Sequence, residues 1–133
     1  MFAKIKQIII IFLLLYSFNN TAQNIIVGAE QTIKYLPLLK NKRVAIVANQ
    51  TSVIKNTHLV DSLVNMNIDI KKIFSPEHGF RGQNDAGEKV SNEIDSKTGL
   101  QIISLYGKNK KPESEDLLDI DIVLFDIQDV GVR

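Results

Sequence analysis

Apolar residues along this chain fall into two kinds of run, and their alternation predicts the architecture. Arg43–Ala48, Asp69–Phe74, Leu100–Leu105 and Ile120–Phe125 each carry a short, continuous, β-branched stretch. Such runs, bounded by polar residues, suit strands buried on both faces of a parallel sheet. Between the first two, Leu59, Val60, Leu63, Val64 and Met66 recur at the spacing of one helix face, with Asn56 as the expected N-cap. Ile33, Leu36 and Leu39 share that spacing, but Pro37 interrupts them and suits the first turn of a second short helix. Pro112 opens a short acidic helix through Leu118, and residues 83–98 form a long polar connection. The predicted order is helix, β, α, β, long loop, β, α, β. That is an α/β fold with a parallel sheet flanked by helices and right-handed crossovers.

Each predicted strand ends in a polar cluster: Asn49–Ser52, Ser75–Glu88, Tyr106–Lys108 and Asp126–Asp129. In parallel sheets ligands bind beyond the carboxyl ends of the strands, so these four clusters should share one rim. The last strand ends within eight residues of Arg133 with no closing helix. Native proteins usually cover an apolar edge strand, so the expectation is a truncated two-domain protein.

The first 23 residues read as a secretory signal peptide. Lys4 and Lys6 precede the apolar run Ile8–Tyr16, and small and polar residues follow to Ala22 and Gln23. The run is shorter than the about 20 residues needed to span a bilayer. The expected mature unit, 24–133, would act outside the cytoplasm. With 44% apolar and 23% charged residues, the 133-residue chain is ordinary globular protein. A net charge of +1 gives no field for nucleic acid or an anionic membrane. Membrane contact is expected only through the signal peptide. The absence of cysteine excludes disulfides, thiolate metal sites and a cysteine nucleophile.

Candidate chemistry centres on Ser75–Gly82, Ser-Pro-Glu-His-Gly-Phe-Arg-Gly. Glu77 and Glu88 are the best paired carboxylates, with Asp85, Asp126 and Asp129 behind them. Glycoside hydrolysis needs one carboxylic acid to protonate the leaving oxygen and a second carboxylate as base or nucleophile. His78 could orient a carboxylate, act as acid or base, or bind a metal with Asp126 or Asp129. Arg81 could hold a substrate carboxylate through a bidentate pair. Against these stands a loop merely closed by a Glu77–Arg81 ion pair. Asn49 is either a turn-capping residue or an amide donor to a polar ligand. His58, at a helix start, reads as a solvated side chain. No phosphate-cradling glycine motif is present.

Read together, Lys42–Thr51, Phe74–Gly82, Ala86-Gly87-Glu88, Ser104–Gly107 and Phe125–Arg133 resemble the bacterial exo-β-N-acetylmuramidase family, the NamZ/YbbC-like proteins long grouped as a domain of unknown function. The resemblance spans residues 28–133 and corresponds to the family's Rossmann-like N-terminal part; complete members carry a further C-terminal domain. It implies release of terminal N-acetylmuramic acid from a peptidoglycan-derived muropeptide or disaccharide, without a cofactor or metal, in a cleft between the two domains. It places the acid/base role on Glu77, with Glu88 as second carboxylate and His78 beside them. Asn49, Arg81, Asp126 and Asp129 become substrate-binding or supporting residues. The lactyl carboxylate of muramic acid would be the partner of Arg81. Two alternatives stay open, a metal-dependent hydrolase and a non-catalytic glycan-binding fragment. Val53 departs from the family pattern, which has a glycine-containing turn there, and this puts the local turn geometry in question.

Overall fold

Strand β1, Val44–Ala48, is the centre of the molecule, and all five of its residues are buried. The computed structural model describes residues 4–7, 25–76, 79–82, 93–107 and 110–127. A 3₁₀ turn at Gly28–Glu30 and helix α1, Thr32–Leu39, precede β1. A two-stranded hairpin follows, β2 (Val53–Ile54) with β3 (Thr57–His58), and then helix α2, Leu59–Asn65. The remaining elements are β4 (Ile70–Ser75), β5 (Glu93–Ile94), β6 (Gln101–Ser104), helix α3 (Ser114–Leu117) and β7 (Ile122–Asp126).

The main sheet has the order β5-β6-β4-β1-β7. Strands β6, β4, β1 and β7 run parallel, and β5 pairs antiparallel to β6. Chain order along the parallel part is therefore third, second, first, fourth, the Rossmann-like arrangement. It reverses between β1 and β7.

Alternation along the strands assigns two layers. Val44, Ile46, Ala48, Ile73 and Ile102 pack with Leu39 of α1 and with Leu59, Val60 and Leu63 of α2. Ala45, Val47, Phe74 and Ile103 face the other way, against Leu105, Ile120 and Ile127. On that second face Lys72 ties down α3, donating to the Asp116 carbonyl at 2.9 Å and pairing with Asp119 at 3.0 Å. Val123 and Phe125, in register with Ala45 and Val47, remain 45% and 70% exposed. At the opposite end of the strands, Arg43 and Asp121 stitch β1 to β7 through bonds of 2.8 and 3.2 Å.

The four expected strands and the three helical segments are present, with three differences. Pro37 lies inside α1 rather than opening a second helix. Its ring forfeits a backbone bond in a turn where Ile33 is already solvent-exposed, so the freed carbonyl can be hydrated. Helix α2 begins not after Asn56 but after His58, whose Nδ1 accepts from the Val60 N–H at 3.2 Å. Asn56 sits in the hairpin turn instead, beside Lys55 with φ of 54°. That hairpin absorbs the turn for which a glycine near Val53 was expected. Finally, the long connection contains β5 and a closing turn, while 83–92 lie outside the described residues.

The two faces of the sheet should respond differently to substitution. Ile46→Ala is expected to cost about 2–5 kcal/mol, since the cavity opens in a sealed layer. Val123→Thr should stay within about 0.5 kcal/mol. Urea denaturation of both variants measures the contrast.

Candidate functional site

The reversal of strand order between β1 and β7 marks the crevice where ligands of open α/β sheets bind. Its floor is a stitched turn. The Asn49 Oδ1 accepts from the Thr51 N–H at 2.9 Å and its hydroxyl at 2.6 Å. The Ser52 hydroxyl accepts from the Asn49 N–H at 3.1 Å and donates a very short bond to the Asp126 carbonyl. The end of β1 is thereby bonded to the end of β7. The Asn49 carbonyl in turn accepts from His58 Nε2 at 3.0 Å. With Nδ1 accepting from Val60, the imidazole is held neutral with its proton on Nε2. His58 is thus half-buried and built in, not the solvated side chain expected of it. Burial pushes its pKa below 6.5.

Asn49 commits its side-chain oxygen to Thr51, as the turn-forming reading requires. Its Nδ2 remains without a partner among the described residues. Asp126 closes β7 on the same face as Leu124. No described residue hydrogen-bonds its carboxylate, and burial pushes its pKa up against the opposing pull of His58. A carboxyl group in this state, at the mouth of the crevice, suits a sugar hydroxyl or amide. Tyr35 stands on the same side, its hydroxyl donating to the Ala29 carbonyl at 2.7 Å. Burial, and then the Asp126 charge, raise its pKa.

The loop after β4 is fixed at both described ends. Ser75 and Phe80 are sealed from solvent, and the Leu105 N–H donates to the Ser75 carbonyl at 2.8 Å. The Phe80 ring meets His58 edge-to-face at 4.5 Å. Gly82, with φ of +69°, lies so close to Gln50 that an added Cβ would stand 2.9 Å from the Gln50 Cβ. Glycine is required there for both reasons. Pro76 and Gly79 flank Glu77 and His78, which, with Glu88 and Asp129, lie outside the described residues.

Arg81 does not have the free guanidinium expected of a substrate clamp. Its Nε and Nη2 donate to the two oxygens of Asp95, both at 2.7 Å. Nη2 and Nη1 donate to the two oxygens of Asp61 at 2.8 and 3.3 Å. Among the described residues, four of the five guanidinium N–H donors are thus engaged. Their partners are Asp61 from α2 and Asp95 from the turn after β5; the Glu77 of the alternative ion-pair reading lies outside the described residues. Both carboxylates are nearly sealed, at 6% and 3% exposure. Lys97 Nζ adds a second cation on Asp61, and the Thr98 N–H and hydroxyl satisfy Asp95. The hydrogen bond from Arg81 holds Asp95 down to about 2. Burial pushes Asp61 up, but the bonds from Arg81 and Lys97 outweigh it and leave its pKa below the ordinary value.

Neither aspartate stood out in the sequence. The available signals were local: Asp61 interrupts five consecutive helix positions that all turn inward, and Asp95 opens an Asp-Ser-Lys-Thr-Gly turn. Among the described residues, no three His, Cys, Asp or Glu side chains are placed to share a metal ion.

Residues 44–133 match the family described as exo-beta-N-acetylmuramidase NamZ, N-terminal. The peptidoglycan beta-N-acetylmuramidase NamZ of Bacillus subtilis is 47% identical over 103 residues, covering 74% of this chain and 24% of that protein. Crystal structures of two DUF1343 family proteins from Bacteroides fragilis superpose with TM-scores of 0.67 and 0.64, at 48% and 38% identity. They cover 84% and 75% of this chain, and 28% and 25% of theirs. The chain therefore spans about a quarter of the length of these relatives.

Two pH windows follow from the site. Asp95 has a depressed pKa, so its contribution is complete above about pH 4 and is lost as pH falls toward 2. His58 is also depressed, so unfolding takes up a proton, and stability falls as pH drops below 6.5. Melting temperature measured from pH 8 to 2 should show both losses. Asp95→Asn should shrink the lower one, part of which Asp61 and the other lowered carboxylates keep, and His58→Gln should remove the upper.

Proposed function

Because this chain belongs to the NamZ family of exo-β-N-acetylmuramidases, matching its N-terminal part across residues 44–133, we propose that it supplies one wall of a glycosidase site releasing terminal N-acetylmuramic acid from peptidoglycan fragments. The observation carrying this reading is the convergence of the β1, β4 and β7 strand ends on the switch point, with an Asp126 carboxyl group at its mouth that no described residue hydrogen-bonds.

In this reading Glu77, on the loop clamped between Ser75 and Phe80, is the general acid that protonates the leaving glycosidic oxygen. Glu88 is the second carboxylate, and His78 holds Glu77 in its working protonation state. Stereochemical outcome depends on the spacing of the carboxyl groups, about 5–5.5 Å for retention and about 6.5–9.5 Å for inversion. Asp126 and the Asn49 amide accept from and donate to the sugar's polar groups, and Asp129 supports them. The substrate is a muropeptide or disaccharide, met in the cell envelope after removal of residues 1–23.

The decisive variant is Glu77→Gln in the longest form the gene encodes. Release of the chromophore from a chromogenic N-acetylmuramide should fall by about 10²-fold or more, the scale of lost acid catalysis. Wild-type-like turnover would remove Glu77 from the mechanism, and loss of turnover on chelation would favour a metal-dependent hydrolase using His78. The envelope location has its own measurement. Mass spectrometry of the secreted protein should find the N-terminus just after Ala22 or Gln23, and an intact Met1 would contradict it.

A further inference from the structure

We propose that Asp61 and Asp95, acting through Arg81, are positioning residues for the loop that carries Glu77 and His78, and that Arg81 is not a substrate contact. The functional half of this inference rests on the glycosidase reading above; the structural half does not.

The geometry carries it. Arg81 sits three residues beyond His78 in the chain and is bonded to two elements far apart in sequence, α2 and the turn that joins β5 to β6. Four of its five donors are spent, two on each carboxylate, in the planar fork arrangement that resists sideways displacement. A shift of one ångström would break several charge-assisted bonds among groups largely withdrawn from water. The guanidinium also lies 4.8 Å from the centre of the Phe80 ring, which itself packs on His58. Gly82 abuts Gln50 on the β1 loop.

Among the described residues the charges of the cluster balance, Arg81 and Lys97 against Asp61 and Asp95, so these four leave no net charge to attract an anion. A clamp on a substrate carboxylate needs the opposite condition, an unspent guanidinium. The network instead fixes one end of the loop, while Ser75, sealed in β4, fixes the other. Productive geometry in glycosidases tolerates little error, and residues outside the reacting groups that hold such geometry alter turnover strongly.

Two measurements test the inference. Trypsin cleaves after arginine only when the guanidinium can enter its specificity pocket. In the folded wild-type protein, cleavage at Arg81–Gly82 should be slower than at the exposed Lys40 by tenfold or more. Asp61→Asn and Asp95→Asn should each accelerate it at least tenfold, with no matching rise at Lys72 inside β4. Rapid wild-type cleavage at Arg81, no response to the aspartate variants, or a parallel rise at Lys72 from general unfolding would overturn the clamp.

The second measurement compares a chromogenic N-acetylmuramide with its lactyl-amide analogue, using the longest form the gene encodes. Asp61→Asn, Asp95→Asn and Arg81→Ala should lower kcat about tenfold or more by the same factor on both substrates, with KM within about twofold. The double aspartate variant should be no worse than Arg81→Ala. A rise in KM confined to the carboxylate substrate would return Arg81 to substrate binding, and unchanged kcat would reduce the network to fold stability. A wild type that turns over neither substrate would refute the glycosidase reading, leaving the clamp to stand or fall on the tryptic result.

Discussion

A guanidinium removed from bulk water must be matched by carboxylates in the same dry setting, and the rest of the site is arranged around that demand at Arg81. Breaking one side of such a pair by deleting a partner typically costs about 3–5 kcal/mol, because the survivor keeps its desolvation penalty. Asp61 and Asp95 therefore bind the loop after β4 to α2 and to the β5–β6 turn with a strength that packing alone would not give so short a segment. Phe80 supplies the apolar side of the same junction. Lys97 and Thr98 complete the partners that the two carboxylates need.

The same logic, in neutral form, operates across the crevice. Ser52 stands between the Asn49 backbone and the Asp126 carbonyl, so the ends of β1 and β7 cannot move apart without stranding buried polar groups. His58 completes the stitch by donating to the Asn49 carbonyl while capping α2. Both halves of the rim are thus held by side chains that take no part in the proposed chemistry. The Asp126 carboxylate, which no described residue hydrogen-bonds, and the Asn49 amide are left for the ligand in that reading.

Most of the sheet was legible because β1, β4 and β6 are largely buried on both faces, and β7, though open on one, carries the same continuous apolar run. The rim was legible too, since parallel strands must deliver their polar ends to one edge. What stayed hidden was side-chain partnership over long separations. Arg81 looked like a free cation because its carboxylates lie 20 residues before it and 14 after. His58 looked solvated because nothing local announces that its two nitrogens bond to backbone on either side of it. The β2–β3 hairpin was missed for a different reason: two-residue strands carry too little periodicity to register, and Asn56 suits a turn as well as a cap. Pro37 misled because a helix loses little where its freed carbonyl already faces water.

The pairing of β7 with β1 has a consequence for how the chain acquires its fold. Arg43 and Asp121, which close that pairing at its open end, are 78 residues apart in the sequence. Loop closure over that distance must precede any return from the contacts it brings together, so this ladder is a slow, non-local event. At synthesis rates of about 5–20 residues per second, β1 waits on the order of ten seconds for its second neighbour. During that interval β1, with Val44, Ile46 and Ala48 on one face and Ala45 and Val47 on the other, leaves an apolar strand edge unpaired. The interior position that makes β1 the anchor of the finished sheet also leaves it open to mispairing until β7 arrives.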